Sequence, residues 1–452
     1  VLFISGTIVH LAVSIKIYIM YLKLIVIELK STMDQKYKKI VMKFGGTSMA
    51  DMDCISKVAD HIERELSNGT LIAVVVSAMA GETDRLISLA DQVGKNMQQS
   101  ERDVIISTGE QVSSAILSMI LNKRNIDARS IQGWQIPLIT KGLLGSARIS
   151  NVKLNHLENL MKNGIVPIIA GFQGISEENR VTTLGRGGSD TTAVAIACGI
   201  HADLCDIYTD VDGVYTSDPR IIPEAQKMKH ISFEEMLEMA SQGAKVLQTR
   251  SVELAMSYNM PIRVRSTFSE NDCENSTQST NIGTVVTNED GILEDKVVSG
   301  IAYSKSDAKV TIQQLEDKPG VAAEIFGNLA DNGINVDMIV QNISADGMHT
   351  DLTFTVQETD LSSAKLVIES LSNTIKYAKL EESKDIAKLS IIGVGMRSHA
   401  GVAAQMFSVL AENGINIQAI TTSEIKISVL IDLKHIEKAM RALHSAYKLD
   451  QN

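Results

Sequence analysis

The chain has 452 residues, 44% of them apolar and 21% charged, with 43 Lys and Arg against 54 Asp and Glu and a formal net charge of −11. That length suits about three domains of ~150 residues, and the composition excludes a wholly disordered, collagenous or coiled-coil chain. The acidic balance argues against nucleic acid as a partner, because phosphate-backbone binding wants a basic face, but it leaves an anionic small substrate open.

Residues 1–29 are strongly apolar, yet the longest stretch free of Lys, Arg, Asp and Glu runs only from Val1 to Ile15. A membrane-spanning helix needs ~18–20 such residues, and no basic region precedes the stretch as in a signal peptide. Folding is expected to begin about Met33, with residues 1–36 outside the native fold and no membrane partner. A membrane anchor and a native extension are the alternative readings.

A strand is expected at 39–43, a glycine turn at Phe44-Gly45-Gly46-Thr47-Ser48 and a helix over 51–66. Leu71 to Val76 and Ile165 to Ala170 are continuous apolar runs, which suit strands buried on both faces of a parallel sheet. Helical patterns are expected at 84–96, 101–123, 151–163, 189–199 and 233–258, with further strands at 203–209 and 261–264. This alternation predicts a doubly wound, mostly parallel α/β domain over 37–295. The polar residues 269–283 read as a loop at its edge. Cys54, Cys198, Cys205 and Cys273 lie far apart without a C-x-x-C pair, which fits a reduced, cytoplasmic compartment.

The last third of the chain repeats itself. Gly320 to Phe326 recurs as Gly401 to Phe407, and Asp331 to Asn335 as Glu412 to Asn416; roughly twelve of the twenty positions from Gly320 and Gly401 are identical. Two modules are expected, at 296–378 and 379–452. Each reads strand, glycine turn, helix, Asn-Gly stop, strand, and is small enough to leave a sheet face uncovered. Pairing of the copies, within or between chains, would cover it.

Three motifs carry chemistry. In Lys43-Phe44-Gly45-Gly46-Thr47-Ser48 a lysine ends a buried strand and two glycines let backbone N–H groups approach phosphate oxygens, although such a segment alone also reads as a plain turn. In Thr183-Leu184-Gly185-Arg186-Gly187-Gly188-Ser189-Asp190 a glycine cluster with one arginine runs into a helix. Ser189 or Asp190 would cap that helix, and an anion site at its mouth is favoured. The third, Tyr208-Thr209-Asp210-Val211-Asp212-Gly213-Val214-Tyr215, follows a strand, where α/β sheets bind ligands. Asp210 and Asp212 faintly echo a calcium loop but lack its Gly and Glu positions, so no metal ligand is assigned.

Together these motifs resemble the amino-acid-kinase family, in its branch that phosphorylates aspartate, from Lys39 onward; residues 1–32 match nothing in it. The duplicated tail resembles two ferredoxin-like βαββαβ ACT modules, with Asp317-Lys318-Pro319-Gly320 as their turn. The resemblance implies transfer of the ATP γ-phosphoryl group to the β-carboxylate of L-aspartate, the first step toward lysine, threonine and methionine. ATP and Mg²⁺ are implied with it. Lys43, Arg186 and Asp190 are the implied catalytic residues. Ser77, Ala78, Thr83, Glu110, Phe172, Arg186 and Ser189 would hold aspartate, with Arg186 on a carboxylate and Glu110 on the ammonium. Asp190 would orient Lys43 or a substrate group, or simply cap its helix. Lys43, Phe44, Gly45, Gly46, Thr209, Asp210, Tyr215, Arg220, Lys245 and Val246 would meet the nucleotide. In the tail, Asp317, Gly320, Ala322, Asn335, Asp337 and Gln341 would read an amino-acid effector, lysine and/or threonine, in a homo-oligomer (dimer or higher). A kinase for glutamate or acetylglutamate, and an inactive ACT-based sensor, are the competing readings.

Overall fold

The computed structural model describes residues 38–94, 98–243, 246–269, 283–288, 297–344 and 348–451. The expectation for residues 1–36 lies outside these, as does that for all but the ends of the 269–283 loop.

The large domain runs β1 (Lys39–Phe44), α1 (Met52–Ser67), β2 (Leu71–Val76), α2 (Glu82–Val93), α3 (Gln99–Ile106), α4 (Thr108–Lys123), β3 (Ala128–Ile131), β4 (Leu138–Lys141) and β5 (Arg148–Val152). It continues with α5 (Asn155–Lys162), β6 (Val166–Ala170), β7 (Gln173–Ile175), β8 (Val181–Thr183), α6 (Gly188–Gly199), β9 (Leu204–Thr209), β10 (His230–Ser232), α7 (Phe233–Ser241), α8 (Thr249–Ser257), β11 (Ile262–Ser266) and β12 (Thr284–Thr287).

Eight strands form one sheet in the order β10-β12-β11-β9-β1-β2-β6-β3. All its pairs are parallel except β11 with β12. β1 is central, in register with β2 on one side and β9 on the other. The pleat sorts its side chains. Ile40, Met42 and Phe44 join the core under α1 and α4, while Val41 joins the core under α5, α6, α7 and α8. Period 2 then turns Lys43 toward the α6 side.

Three expected helices need correction. Residues 148–152 pair with β4, so the helix expected at 151–163 begins only at Asn155. The expected 101–123 helix breaks at Ser107 into α3 and α4; by length and apolarity this run would span a membrane, but it is half buried in the domain. The expected 233–258 helix is two, and Gly243, at φ 109°, interrupts it.

β9 also carries a wholly buried carboxylate. Asp206 receives two hydrogen bonds of 2.7 Å from Arg263 on β11, and Arg265 lies 3.7 Å away. The Arg265 guanidinium in turn sits 5.2 Å from the Tyr208 ring centre, and Tyr208 stacks on Phe44 at 4.6 Å.

The tail comprises β13 (Gly300–Ser304), β14 (Asp307–Glu316), α9 (Val321–Asp331), β15 (Val336–Ile343), β16 (His349–Gln357), α10 (Leu361–Ser370), β17 (Lys379–Ser383), β18 (Ile386–Ile392), α11 (Val402–Glu412), β19 (Ala419–Thr422), β20 (Lys426–Asp432) and α12 (Ile436–Ala446). One sheet has the order β15-β16-β14-β17 and the other β13-β18-β20-β19. The sheets do not follow the expected spans 296–378 and 379–452, since β17 at Lys379–Ser383 lies in the first sheet. β13 precedes the first module but belongs to the sheet of the second, pairing Ala302 with Ser390. No strand follows α12 among the described residues, so β13 supplies the fourth strand.

The two sheets meet within the chain. Met338 packs with Ile386 and Leu430. Lys388, nearly buried, is ion-paired with Asp337 and lies 3.6 Å from Asp307. Helix α7 joins domain to tail: Glu235 accepts from Ser299 Oγ at 2.5 Å and Val394 N at 3.0 Å, and Glu238 pairs with Lys426 at 2.8 Å.

Removing one partner of a buried ion pair strands the other, at a cost of about 3–5 kcal/mol. Asp206→Ala is expected to lower unfolding stability by that order in a urea titration. A loss below about 1 kcal/mol would show that Arg263 and Arg265 are not held by this carboxylate.

Candidate active site

Parallel strands bring their carboxyl ends to one edge, and ligands of such sheets bind there. Here the ladder continues past the strand ends. Gly45 N donates to Tyr208 O at 3.1 Å, Ser77 N to Phe44 O at 3.0 Å, Gly171 N to Val76 O at 3.0 Å and Thr267 N to Thr209 O at 3.1 Å. The segments after β1, β2, β6 and β11 are thereby held together along one edge of the sheet. The Gly45 N–H is consumed in this way and is no longer the phosphate donor that the motif suggested. For the Gly46 N–H no such partner occurs among the described residues. A Cβ on Gly46 would lie 3.3 Å from Ala78 O, so a larger residue here would crowd the segment that follows β2.

Lys43, with 10% of its side chain exposed, meets Asp190 at 2.6 Å, whose own side chain is 9% exposed. Asp190 sits in the first turn of α6, facing the side of the sheet to which the pleat turns Lys43. The ammonium is thus held by Asp190 beside the Gly45-Gly46 turn.

Glu110, in the first turn of α4, is 3% exposed. Its Oε1 accepts from Ala78 N at 3.1 Å, while Oε2 is buried with no hydrogen-bond partner among the described residues. Burial pushes its carboxyl up to about 8, against the lowering by the Ala78 N–H. Such a group is poised to receive a cation.

Phe172 adopts a left-handed φ of 67°, a strained conformation for a bulky residue. It is held there because its N–H donates to Thr192 Oγ1 at 3.2 Å and its carbonyl accepts from Leu184 N at 2.9 Å. Ser189 crosses directly above Gly171, where a Cβ would lie 2.7 Å from Ser189 Oγ. Arg186 is exposed in the turn between β8 and α6, and no hydrogen bond or ion pair engages it among the described residues.

The expected nucleotide residues assemble less completely. Thr209 ends β9 and Asp210 follows it, beside the glycine turn, with a 3.1 Å hydrogen bond between their side chains. Tyr215 donates instead to Asp212 at 2.8 Å, and Arg220, 86% exposed, turns back onto Asp218 at 2.8 Å. Val246 packs partly into the core, and Lys245 lies outside the described residues. No contact ties Thr83, at the start of α2, to the others. In the tail, a cavity of about 440 Å³ gathers Asp317, Gly320, Ala322 and Gln341. Asp337 is not among its lining residues and is held by Lys388; Asn335 is exposed and likewise outside it.

Two residues that sequence reasoning passed over shape the cleft. Asp103, fully buried, accepts from Gly145 N at 3.0 Å, Thr183 N at 2.9 Å and Thr183 Oγ1 at 3.1 Å. Arg250 donates to Leu184 O at 2.7 Å and Ala147 O at 2.9 Å. Each looks like an ordinary helix-surface charge, and no local signal marks either.

The sequence model of the amino acid kinase family matches residues 38–266, and that of the ACT domain matches residues 313–370 and 389–447. The chain is 48% identical to an aspartate kinase of Pseudomonas putida over 412 residues, covering 91% of this chain and 98% of that protein. It is 46% identical to an aspartokinase of Helicobacter pylori, covering 91% of this chain and 100% of that protein. Among solved structures, E. coli aspartokinase III in complex with aspartate and ADP (R-state) superposes with a TM-score of 0.74 at 26% identity, covering 90% of this chain and 99% of that one. The same enzyme in complex with lysine and aspartate (T-state) superposes with a TM-score of 0.70 at 27% identity, covering 90% and 98%.

Glu110 sets a pH dependence. Its folded-state value near 8 exceeds the ordinary 4.5, so across that window the folded chain holds a proton that the unfolded chain has lost. Its contribution to stability is full below about pH 4.5 and is lost as pH rises toward 8. Glu110→Gln is expected to melt higher than wild type at about pH 8.5, with the gap closing toward about pH 5. Parallel melting profiles for the two proteins would contradict this placement.

Proposed function

Since the chain belongs to the amino acid kinase family, with ACT domains behind the kinase domain, we propose that it transfers the γ-phosphoryl group of ATP to the β-carboxylate of L-aspartate, giving 4-phospho-L-aspartate. The observation that carries this reading is the set of charged groups beside the strand ends. They are a buried carboxyl, Glu110, with one oxygen that meets no hydrogen-bond partner among the described residues, and two cations, Lys43 and Arg186. Aspartate presents the complement, one ammonium and two carboxylates. Identity to aspartate kinases over nearly their whole length favours it over glutamate, acetylglutamate or an inactive sensor.

The β-carboxylate is already ionised near neutral pH, so no base is needed to make the nucleophile. The difficulty is the approach of an anion to a polyanion, and catalysis becomes positioning and charge neutralisation. A β-carboxylate oxygen attacks the γ-phosphorus, the bond to the bridging oxygen breaks, and ADP leaves with the electron pair. Lys43, aimed by Asp190, offsets charge on the transferring group. The Gly46 N–H and the first turn of α6 add donors. Arg186 takes the α-carboxylate and Glu110 the ammonium, with Ser77, Ala78, Thr83, Phe172 and Ser189 lining the pocket. The remaining nucleotide contacts are assigned to Thr209, Asp210, Tyr215, Arg220, Lys245 and Val246.

Among the described residues no group of three or more His, Cys, Asp or Glu stands together to hold a metal. A magnesium ion, which keeps waters and rides on phosphates, fits this cleft only as a companion of the nucleotide, where it would neutralise phosphate charge.

The tail is assigned to regulation by an amino acid, lysine and/or threonine, in the cavity of Asp317, Gly320, Ala322 and Gln341. Asn335 and Asp337 are then set outside direct contact, with Asp337 acting through Lys388. A homo-oligomer in the cytoplasm is the proposed setting. The equivalent edge-strand residues Ile339 and Ile420 are 48% and 42% exposed and suit contact with a second copy.

Lys43→Ala is expected to lower kcat by roughly 10²–10³-fold with a smaller change in KM for aspartate, and Arg186→Ala chiefly to raise that KM. A hydroxamate assay offering aspartate, glutamate and N-acetylglutamate with Mg-ATP checks both; product from either competitor at a comparable rate would sink the substrate assignment. Titration with lysine and threonine, singly and together, is expected to inhibit wild type but not Gln341→Ala. Equal inhibition of the two would move the effector elsewhere.

A further inference from the structure

The backbone on either side of Arg186 is held from one element. Gln248, immediately before α8, presses on Gly187; a Cβ at Gly187 would fall 1.7 Å from Gln248 Cγ, and Gly187 has φ 70°. Arg250, in the first turn of α8, grips Leu184 O at 2.7 Å. Leu184 is two residues before Arg186 and Gly187 is one after it. The second Arg250 bond, to Ala147 O at 2.9 Å, ties the same turn to the neighbouring loop. Both of these hydrogen bonds go to main-chain carbonyls, so the guanidinium holds the path of the chain.

The chain reaches this stretch directly from Val246, which is assigned to the nucleotide, through the buried Leu247. Anything that shifts 246–248 must shift the two contacts bracketing Arg186. A second clamp on this loop has no such link: Asp103 holds Thr183 and Gly145 from α3.

We propose that Arg250 is a positioning residue that couples the nucleotide segment before α8 to the Arg186 loop, so that bound nucleotide tightens the hold on aspartate. This rests on the reading of Arg186 as a ligand of aspartate. Arg250 touches neither substrate. It transmits order from one side of the cleft to the other, because a loop already ordered by one ligand costs less to order for the second.

The test is calorimetric binding of aspartate to the full chain, with and without a non-hydrolysable Mg-ATP analogue. In wild type the analogue is expected to tighten aspartate binding roughly fivefold or more. In Arg250→Gln that ratio falls to about 1, with melting temperature reporting that the fold persists. Arg250→Lys, which can reach one carbonyl but not both, recovers part of the ratio and serves if the Gln variant does not fold. Asp103→Asn weakens aspartate equally with and without the analogue and so keeps the wild-type ratio. A wild type without nucleotide dependence, an Arg250→Gln protein that retains it, or an Asp103→Asn protein that loses it would each overturn the coupling. A wild type that phosphorylates no aspartate would instead defeat the functional reading itself.

Discussion

The contact between Lys43 and Asp190 is the constraint around which the large domain is arranged. An ammonium taken this far out of water costs several kcal/mol unless a counter-charge meets it at close range, and the distance here is 2.6 Å. That requirement fixes three things at once. β1 must lie in the middle of the sheet, so that its last residues are walled in on both sides. The pleat must turn Lys43 toward α6 rather than α1. The chain entering α6 must arrive at a set height above the sheet, which the left-handed Gly187 and the carbonyls held by Arg250 secure. A cleft built this way has its strongest charge in place before any ligand arrives, so little reorganisation remains for the reaction itself.

Much of this was legible in the sequence because it is local. Leu71 to Val76 and Ile165 to Ala170 are apolar without interruption, and only a strand covered on both faces explains that. The Gly45-Gly46 and Gly187-Gly188 pairs mark close approach of backbone, and both occur at strand-to-helix passages. The arm formed by β4, β5, β7 and β8 was not legible. β5 is mostly exposed, so its alternation is not driven by a core, and only pairing with β4 makes it a strand. Asp103 and Arg250 were invisible for a related reason. Most of their partners are backbone groups 42 to 103 positions away, and a main-chain N–H or carbonyl leaves no trace in the sequence of side chains. Asp337 was expected in the effector site because the first repeat has it and the second does not. Its partner, Lys388, comes from the second repeat, and comparing the copies hides a contact made between them.

Helix α7 shows how domain and tail share material. One oxygen of Glu235 closes the capping box with Ser232, an ordinary means of starting a helix. The other accepts from Ser299 and Val394, on both segments of the tail that pass beside it. A residue whose ordinary task is to start one helix thus also ties that helix to the tail. Glu238 repeats the contact one turn on, through Lys426.

The nesting of one ACT module inside the other bears on how the chain is made. β13 emerges from the ribosome before the first module, but its partner β18 follows about 80 residues later. Throughout that interval β13 is a short strand with an open edge, the kind of segment that other chains can capture. The first module can close on its own meanwhile, since its four strands are contiguous from β14 to β17. Synthesis therefore passes through a stage with one finished module and one orphan strand tethered beside α7. The whole tail is committed only when β18 through α12, residues 386–446, have left the tunnel.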